Sequence, residues 1–229
     1  MGKLVSIFFP VRSGSKRIKN KNIRPIKNFK AGLLEIKINH LIKLNKIFKK
    51  NLPNYKLEII FSTNCKKTKS FLKKHSWIKV FDRKKSLSSD DVLDKLILEV
   101  PRICKGDIIF WSHVTSPLFD ENLYISFIKK FLKNKNEFDS AFSATKIESF
   151  LMDENSNWLS HDVEKKKWPR TQDLKGMFVV NNALFASKRE VYIKLKNRLG
   201  KRILPIATPK YYDLDIDCLE DLEILKKFI

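Results

Sequence analysis

Apolar residues along this chain gather into short runs, separated by stretches in which apolar and polar positions recur at helical spacing. LVSIFF (4–9) is a short β-prone run that reads as a buried first strand and is followed at once by charge. In LLEIKINHLIKLNKIF (33–48), Leu34, Ile38, Leu41, Ile42, Leu44 and Ile47 share one face of a predicted helix. LEIIFST (57–63) predicts a strand with Ser62, Thr63 and Asn64 at its C-terminal end, KKTKSFLKKH a short helix, and IKVFD (78–82) a strand. SLSSDDVLDKLILEVPRI offers Ser88 or Ser89 as the cap of an amphipathic helix that must end or kink near Pro101. DIIFWSH (107–113) predicts a buried strand, DENLYISFIKKFLKN (120–134) a helix with an acidic start, and DSAFSATKI (139–147) another strand. Periodicity is lost from 148 to 176, which reads as a loop or hairpin excursion. MFVVNNALFAS (177–187) returns as a strand, YYDLDID follows a β-prone stretch, and CLEDLEILKKFI closes the chain as an amphipathic helix.

This alternation predicts an α/β fold of three layers, a mostly parallel sheet with helices on both faces, in a single domain over 1–229. Ligands of such sheets sit beyond the carboxyl ends of the strands. Four segments in that position carry chemistry: PVRSGSKRIKNKN, STN, HVTSPL and YYDLDID.

Charge changes the picture less than its size suggests. The net charge of +22 points toward nucleic acid or an anionic membrane surface. Yet only nine of the 47 basic residues are arginine, and the lysines are spread through nearly every segment beside asparagine and isoleucine. That is a compositional bias with solvated lysines, and no nucleic-acid motif accompanies it. No apolar run approaches the roughly 20 residues that cross a bilayer, and the N-terminus lacks the pattern of a signal peptide. MGKLVS fits an N-myristoylation pattern, which a buried first strand argues against. Cys65, Cys104 and Cys218 are widely spaced, out of metal-ligand register, and fit reduced thiols in a cytoplasm, with Cys104 and Cys218 in the core.

The segment from Phe9 to Asn22 has too much charge and too little periodicity to pack inside. Ser13, Gly14 and Ser15 let backbone N–H groups turn toward an anion, and Arg12, Lys16, Arg17 and Lys21 neutralise phosphate charge. The spacing is neither that of a Walker A loop nor that of a dinucleotide fingerprint.

Arg12-Ser13-Gly14-Ser15-Lys16-Arg17-Ile18, then Lys21-Asn22, closely resembles the nucleotide-binding signature of the acylneuraminate cytidylyltransferases, which make CMP-activated sialic acids. The resemblance continues in order: FSTN (61–64), SSDD (88–91), HVTSPL (113–118), WPRTQDL (168–174), NNALF (181–185) and LDIDCLED (214–221). The chain departs from the family pattern at Asn64 for aspartate, His113 for glutamine, Phe119 for arginine, Asn182 for glycine and Phe185 for tyrosine. The resemblance implies attack of the anomeric hydroxyl of a 2-keto-3-deoxy sugar acid on the α-phosphate of CTP, releasing pyrophosphate.

On that reading Arg12, Lys16 and Lys21 hold the triphosphate, with Ser13, Gly14, Ser15, Asn22 and Ser62 completing the nucleotide site. Asp215 and Asp217, two apart in an extended segment, point the same way and hold Mg²⁺. Arg170 grips the sugar carboxylate, Gln172 and Asn181 reach its hydroxyls, and His113, Thr115 and Ser116 border the base or the sugar. The excursion at 148–176, with Leu151, Met152, Trp158 and Trp168, resembles the segment through which members pair, implying a homodimer in which it covers the partner's sugar site. Two other readings stand beside this one: a glycosyltransferase using a D-x-D metal motif, and a basic module binding nucleic acid or anionic lipid. The two aspartates have a plainer role open to them as acidic residues before a helix.

Overall fold

The computed structural model describes residues 3–87 and 92–229. Seven strands form one sheet: β1 (Lys3–Pro10), β2 (Tyr55–Thr63), β3 (Ile78–Asp82), β4 (Ile108–Ser112), β5 (Ser140–Ile147), β6 (Met177–Lys188) and β7 (Ile203–Ala207). Their order is β3-β2-β1-β4-β6-β5-β7. Neighbours pair in parallel except that β6 runs antiparallel to both β4 and β5. The helices are α1 (Gly32–Asn51), α2 (Lys66–Leu72), α3 (Leu93–Ile103), α4 (Glu121–Asn134), α5 (Arg189–Leu195) and α6 (Leu219–Lys226).

Both faces of the sheet are buried, which is why β1, β2 and β4 are near-continuous apolar runs. Val5, Ile7 and Phe9 of β1 pack with Ile59, Phe61 and Phe110 against α1 and α4. Phe8, Ile60, Ile109 and Trp111 face the other way, against α3 and Tyr192 of α5. This is the three-layer arrangement expected from the sequence. A third, smaller cluster joins Ile18 and Ile26 to Leu33 and Ile36 of α1 and to Ile216, Leu222 and Leu225 at the C-terminus. It fixes the first loop and the last segment to the same end of the sheet.

Most expected elements are present, and the differences have local causes. Helix α5, of seven residues, is added; the β-prone stretch before YYDLDID forms β7, an edge strand with Pro205 inside it. Helix α3 ends two residues past Pro101, near where the sequence placed its end, and a proline in the last turn removes only one intrahelical bond. Ser88 and Ser89 lie outside the described residues, as do Met1, Gly2, Asp90 and Asp91. Cys104 is buried as expected, but Cys218 is half-buried and serves as the N-cap of α6 in a capping box with Asp221.

Candidate active site

The loop after β1 is held open by its own backbone contacts. Gly14 sits at φ +82, and the Arg12 guanidinium donates to the carbonyls of Ser13 and Gly14 at 3.5 and 3.1 Å. Asn64, beyond β2, accepts from Ser13 N–H at 2.8 Å, a contact an aspartate makes equally well. Asn22 donates to the Arg12 carbonyl at 3.1 Å and closes the loop onto a single turn of 3-10 helix, Lys21–Ile23. Ile18 is buried in the third cluster, so the cations on either side of it face outward.

The same cluster positions the two aspartates. Ile216 is buried between them, and its N–H donates to the Thr115 carbonyl at 2.8 Å. Asp217 Oδ1 takes Arg17 at 2.9 Å and Lys21 at 3.0 Å, and the Lys21 amine also donates to the Ile216 carbonyl at 2.6 Å. Capping does not occupy either carboxylate. The Asp221 side chain accepts from the N–H groups of Asp217 and Cys218 instead, at 2.7 and 2.8 Å. Asp215 Oδ1 is buried and has no hydrogen-bond partner among the described residues. Burial raises the Asp215 pKa above the carboxylate norm, a hydrogen bond from Thr115 opposes this, and the Asp217 charge adds to it.

Loop and aspartates meet across one cleft of 390 Å³. Arg12, Ser15, Lys16, Lys21 and Asn22 line one side, with Asp215 and Asp217 opposite. His113 and Thr115, just past β4, line its floor. Most of the residues assigned to phosphate and metal are thus gathered by the fold. Ser13 and Gly14 belong to the same loop without lining the cleft.

Other expectations fall elsewhere. Ser62 is buried, its hydroxyl and carbonyl accepting from Arg83 at 3.1 and 3.0 Å. The side chain that reaches a cavity there is Arg83, which lines a neighbouring space of 240 Å³ with Trp111 and His113. Burial, then the nearby Arg12 charge, lowers its pKa to about 10. Ser116 is buried and does not line the cleft, its hydroxyl without a partner among the described residues and its carbonyl accepting from Lys37. Lys37 of α1, wholly buried, donates to the carbonyls of Ser116 and Phe119 at 2.8 and 2.9 Å and lies 5.0 Å from the Tyr124 ring centroid. Burial lowers its pKa to about 7, against the pull of Asp120. No local signal marked Arg83 or Lys37: each is one cation among 47.

The presumed sugar residues stand apart from the cleft. Arg170 is exposed and spends its guanidinium on Asp173 at 3.1 and 3.3 Å, while Gln172 is exposed beside it. Asn181 is buried in the sheet, accepting from Ser143 at 2.6 Å and donating to Thr208 at 2.9 Å. Three of the departures also lie outside the lining of the cleft. Phe119 is core, edge-on to Tyr124 at 4.9 Å; Phe185 is buried under the Arg198 guanidinium at 3.9 Å; and Asn182 occupies φ 57, a left-handed conformation that glycine or asparagine adopts readily.

No curated protein matches this sequence. Solved structures of similar fold include a CMP:2-keto-3-deoxy-manno-octonic acid synthetase complexed with CTP. It is 14% identical, with 99% of this chain and 98% of that one covered and a TM-score of 0.64. The 4-diphosphocytidyl-2C-methyl-D-erythritol synthase of Anaerococcus prevotii is 13% identical over 100% and 99%, with a TM-score of 0.64. A cytidylyltransferase of Leptospira borgpetersenii is 18% identical over 99% and 86%, with a TM-score of 0.58. Identities this low establish the fold, while a sequence profile of the cytidylyltransferases matches residues 7–227, nearly the entire length. The protein with the cationic loop facing two aspartates belongs to the cytidylyltransferase family and is a nucleotidyltransferase.

Proposed function

We propose that this enzyme uses CTP to activate a 2-keto-3-deoxy sugar acid, N-acetylneuraminate or a related nonulosonate, giving the CMP-sugar and pyrophosphate. The observation that carries the reading is the single cleft in which Arg12, Lys16 and Lys21 oppose Asp215 and Asp217. The anomeric oxygen of the acid forms a bond to the α-phosphorus, the bond from that phosphorus to the bridging oxygen breaks, and pyrophosphate leaves with its charge. The hydroxyl proton passes to solvent. Such a step is catalysed by positioning and by neutralising phosphate oxygens, which is what the loop cations offer.

Mg²⁺ belongs to the proposal. Asp215 and Asp217 fit it, because one of their oxygens is buried without a donor. Among the described residues no group of three or more acidic, histidine or cysteine side chains gathers, which suits an ion that completes its shell with phosphate and water. When bound, the ion would withdraw charge from the phosphate oxygens. Arg17 and Lys21 hold Asp217 in place for it.

A homodimer completes the reading. Arg170 and Gln172 lie outside the cleft of their own chain, on an excursion that exposes Met152, Leu159 and Trp168. Beside it, Phe178, Val179 and Val180 of β6 are exposed too. A second copy covering this apolar face would bury it and bring the excursion to the neighbouring cleft. The solved octonic acid synthetase of like fold supports a sugar acid as the class of substrate.

The test is pyrophosphate release with CTP and Mg²⁺ against a panel: N-acetylneuraminate, legionaminate, pseudaminate and shorter 3-deoxy-ulosonates. Turnover with one nonulosonate well above the rest is expected. Turnover with none of them, by folded protein that binds CTP, would refute the sugar-acid assignment.

A further inference from the structure

His113 ends β4 at the border of two cavities, the cleft of the aspartates and the smaller space lined by Arg83. Its ring has two nitrogens, and the structure accounts for one of them. Trp111 Nε1 lies 2.9 Å from His113 Nε2. An indole N–H only donates, so Nε2 must offer its lone pair and the ring proton must reside on Nδ1. The chemistry of the partner leaves one tautomer. Trp111 is also poorly placed to move away: it is wholly buried, packs edge-on to Phe8 at 5.0 Å, and has the Arg198 guanidinium 5.6 Å from its ring centroid. Nδ1–H has no partner among the described residues.

Protonating the ring would turn Nε2 into a donor facing a donor. It would also add a positive charge beside Lys21 of the 3-10 turn, Lys37 of α1 and Arg198 of the segment after α5. Arg12 and Arg83 line the same cavities, and the opposing charges there are Asp215 and Asp217. Burial first, then Arg198, Lys21 and Lys37, push the His113 pKa down to about 3.

We propose that Trp111 locks His113 as a neutral, donor-only group whose Nδ1–H recognises a lone-pair oxygen or nitrogen of the bound substrate. Trp111 is the positioning residue and His113 the specificity residue. The recognition half rests on the reading that these cavities hold CTP and a sugar acid, whereas the lock itself does not. A donor-only ring cannot receive an amino group. Cytosine would therefore meet it at O2 or N3 and never at its exocyclic amine, and a sugar acid would meet it at a carboxylate, carbonyl or hydroxyl oxygen. Unlike a glutamine amide, which donates and accepts, such a ring turns away a ligand that presents a donor there.

The lock is tested on the ligand-free full chain by long-range proton–nitrogen NMR, with His113 assigned by loss of its signals in His113→Gln. The expected spectrum shows the Nδ1–H tautomer alone, unchanged from about pH 5 to 8, where an unperturbed histidine titrates. Mixed tautomers, or a titration in that range, would overturn the proposal. Trp111→Phe removes the indole donor and should release the ring to both tautomers; a pure Nδ1–H signal in that variant would overturn the role of Trp111. If Trp111→Phe fails to fold, the wild-type spectrum still decides the lock.

Recognition is tested by kinetics. His113→Leu should raise the KM of one substrate about tenfold, the loss of one ordinary hydrogen bond, and His113→Gln should restore most of it. A rise for CTP places the contact on the nucleotide, and a rise for the sugar acid places it on an oxygen of the acid. Wild-type constants for both substrates in His113→Leu would overturn the recognition half. Failure of every sugar acid to turn over would instead count against the proposed function, leaving the NMR result to stand.

Discussion

The phosphate side and the presumed sugar side of this molecule are built in opposite ways. On the phosphate side a buried cluster of Ile18, Leu33, Ile36, Ile216 and Leu225 clamps the first loop to the last segment. The cations and carboxylates then meet within one chain, at 2.9 and 3.0 Å. On the sugar side Phe150, Trp158 and Trp168 pack on one another and on His161, all within the excursion, Trp168 is 69% exposed, and Arg170 is tied to Asp173. One side is finished as it stands, and the other presents apolar surface that asks for a cover. A sequence motif therefore guarantees chemistry only where the fold of the same chain also supplies its support.

The hardest blow to the finished side should come at the aspartates. Asp217→Asn and Asp215→Asn keep shape and remove charge, so pyrophosphate release should fall about 10²–10³-fold, the usual scale for losing one electrostatic contact to the reacting phosphate. Melting temperature separates the two. Asp217 is half-exposed and its ion pairs contribute little, so its variant should melt like the parent. Burial holds the Asp215 pKa above its unfolded value, and a carboxylate so shifted costs stability once pH exceeds that unfolded value. Asp215→Asn should melt higher than the parent at neutral pH. Normal turnover in both would remove the metal from the proposed mechanism.

A smaller loss is expected at the loop. Arg12→Ala should weaken CTP binding by about 1.5–3 kcal/mol, roughly 10- to 150-fold, read by calorimetry. The unfinished side is probed by a charge in its exposed face: Val179 is 50% exposed on β6, and Val179→Glu should shift light scattering from dimer to monomer. CTP affinity should then stay put while the sugar-acid KM rises about tenfold, the scale of one lost contact. A monomeric parent with full activity would dissolve the contrast between the two sides altogether.

The mildest effect concerns Lys37, the tether beneath the cleft. Its folded pKa, about 7, lies below its unfolded value of 10.5. The unfolded chain thus holds one more proton between those limits, and stability should rise with pH by up to about 1.4 kcal/mol per unit from this group. Below pH 7 the full cost remains. Lys37→Met should flatten that slope in melting curves taken between about pH 7 and 9, a window set by the same linkage.

How much of this was legible in the sequence follows from the kind of signal each residue leaves. The loop cations and the aspartates sit in short motifs with fixed spacing, so type and position arrived together. Helix α1 showed its face plainly because it packs on the sheet along its length. Arg83 and Lys37 act through partners far along the chain, Lys37 through carbonyls 79 and 82 residues away, and carry no local mark. Arg170 shows the reverse: its motif was visible, but not that its guanidinium would turn to Asp173. Helix α5 was hidden by its length, seven residues being too few for a period to show. The departure at Phe119 stands directly after a motif, yet the ring packs in the core, since adjacency to a motif does not fix which way a side chain faces.

In the proposed mechanism the two cations that Asp217 holds would also face the incoming triphosphate, and this would give the site a property of its own. The cleft carries its own counter-ions: Arg17 and Lys21 for Asp217. A nucleotide arriving without metal would draw those cations away and leave a bare carboxylate beside phosphate. A metal arriving alone would claim the carboxylate and leave the cations unmatched. Only the pair, entering together, exchanges every partner for another of the same sign. Nucleotide and metal should therefore each tighten the binding of the other, a reciprocal coupling that requires no moving part.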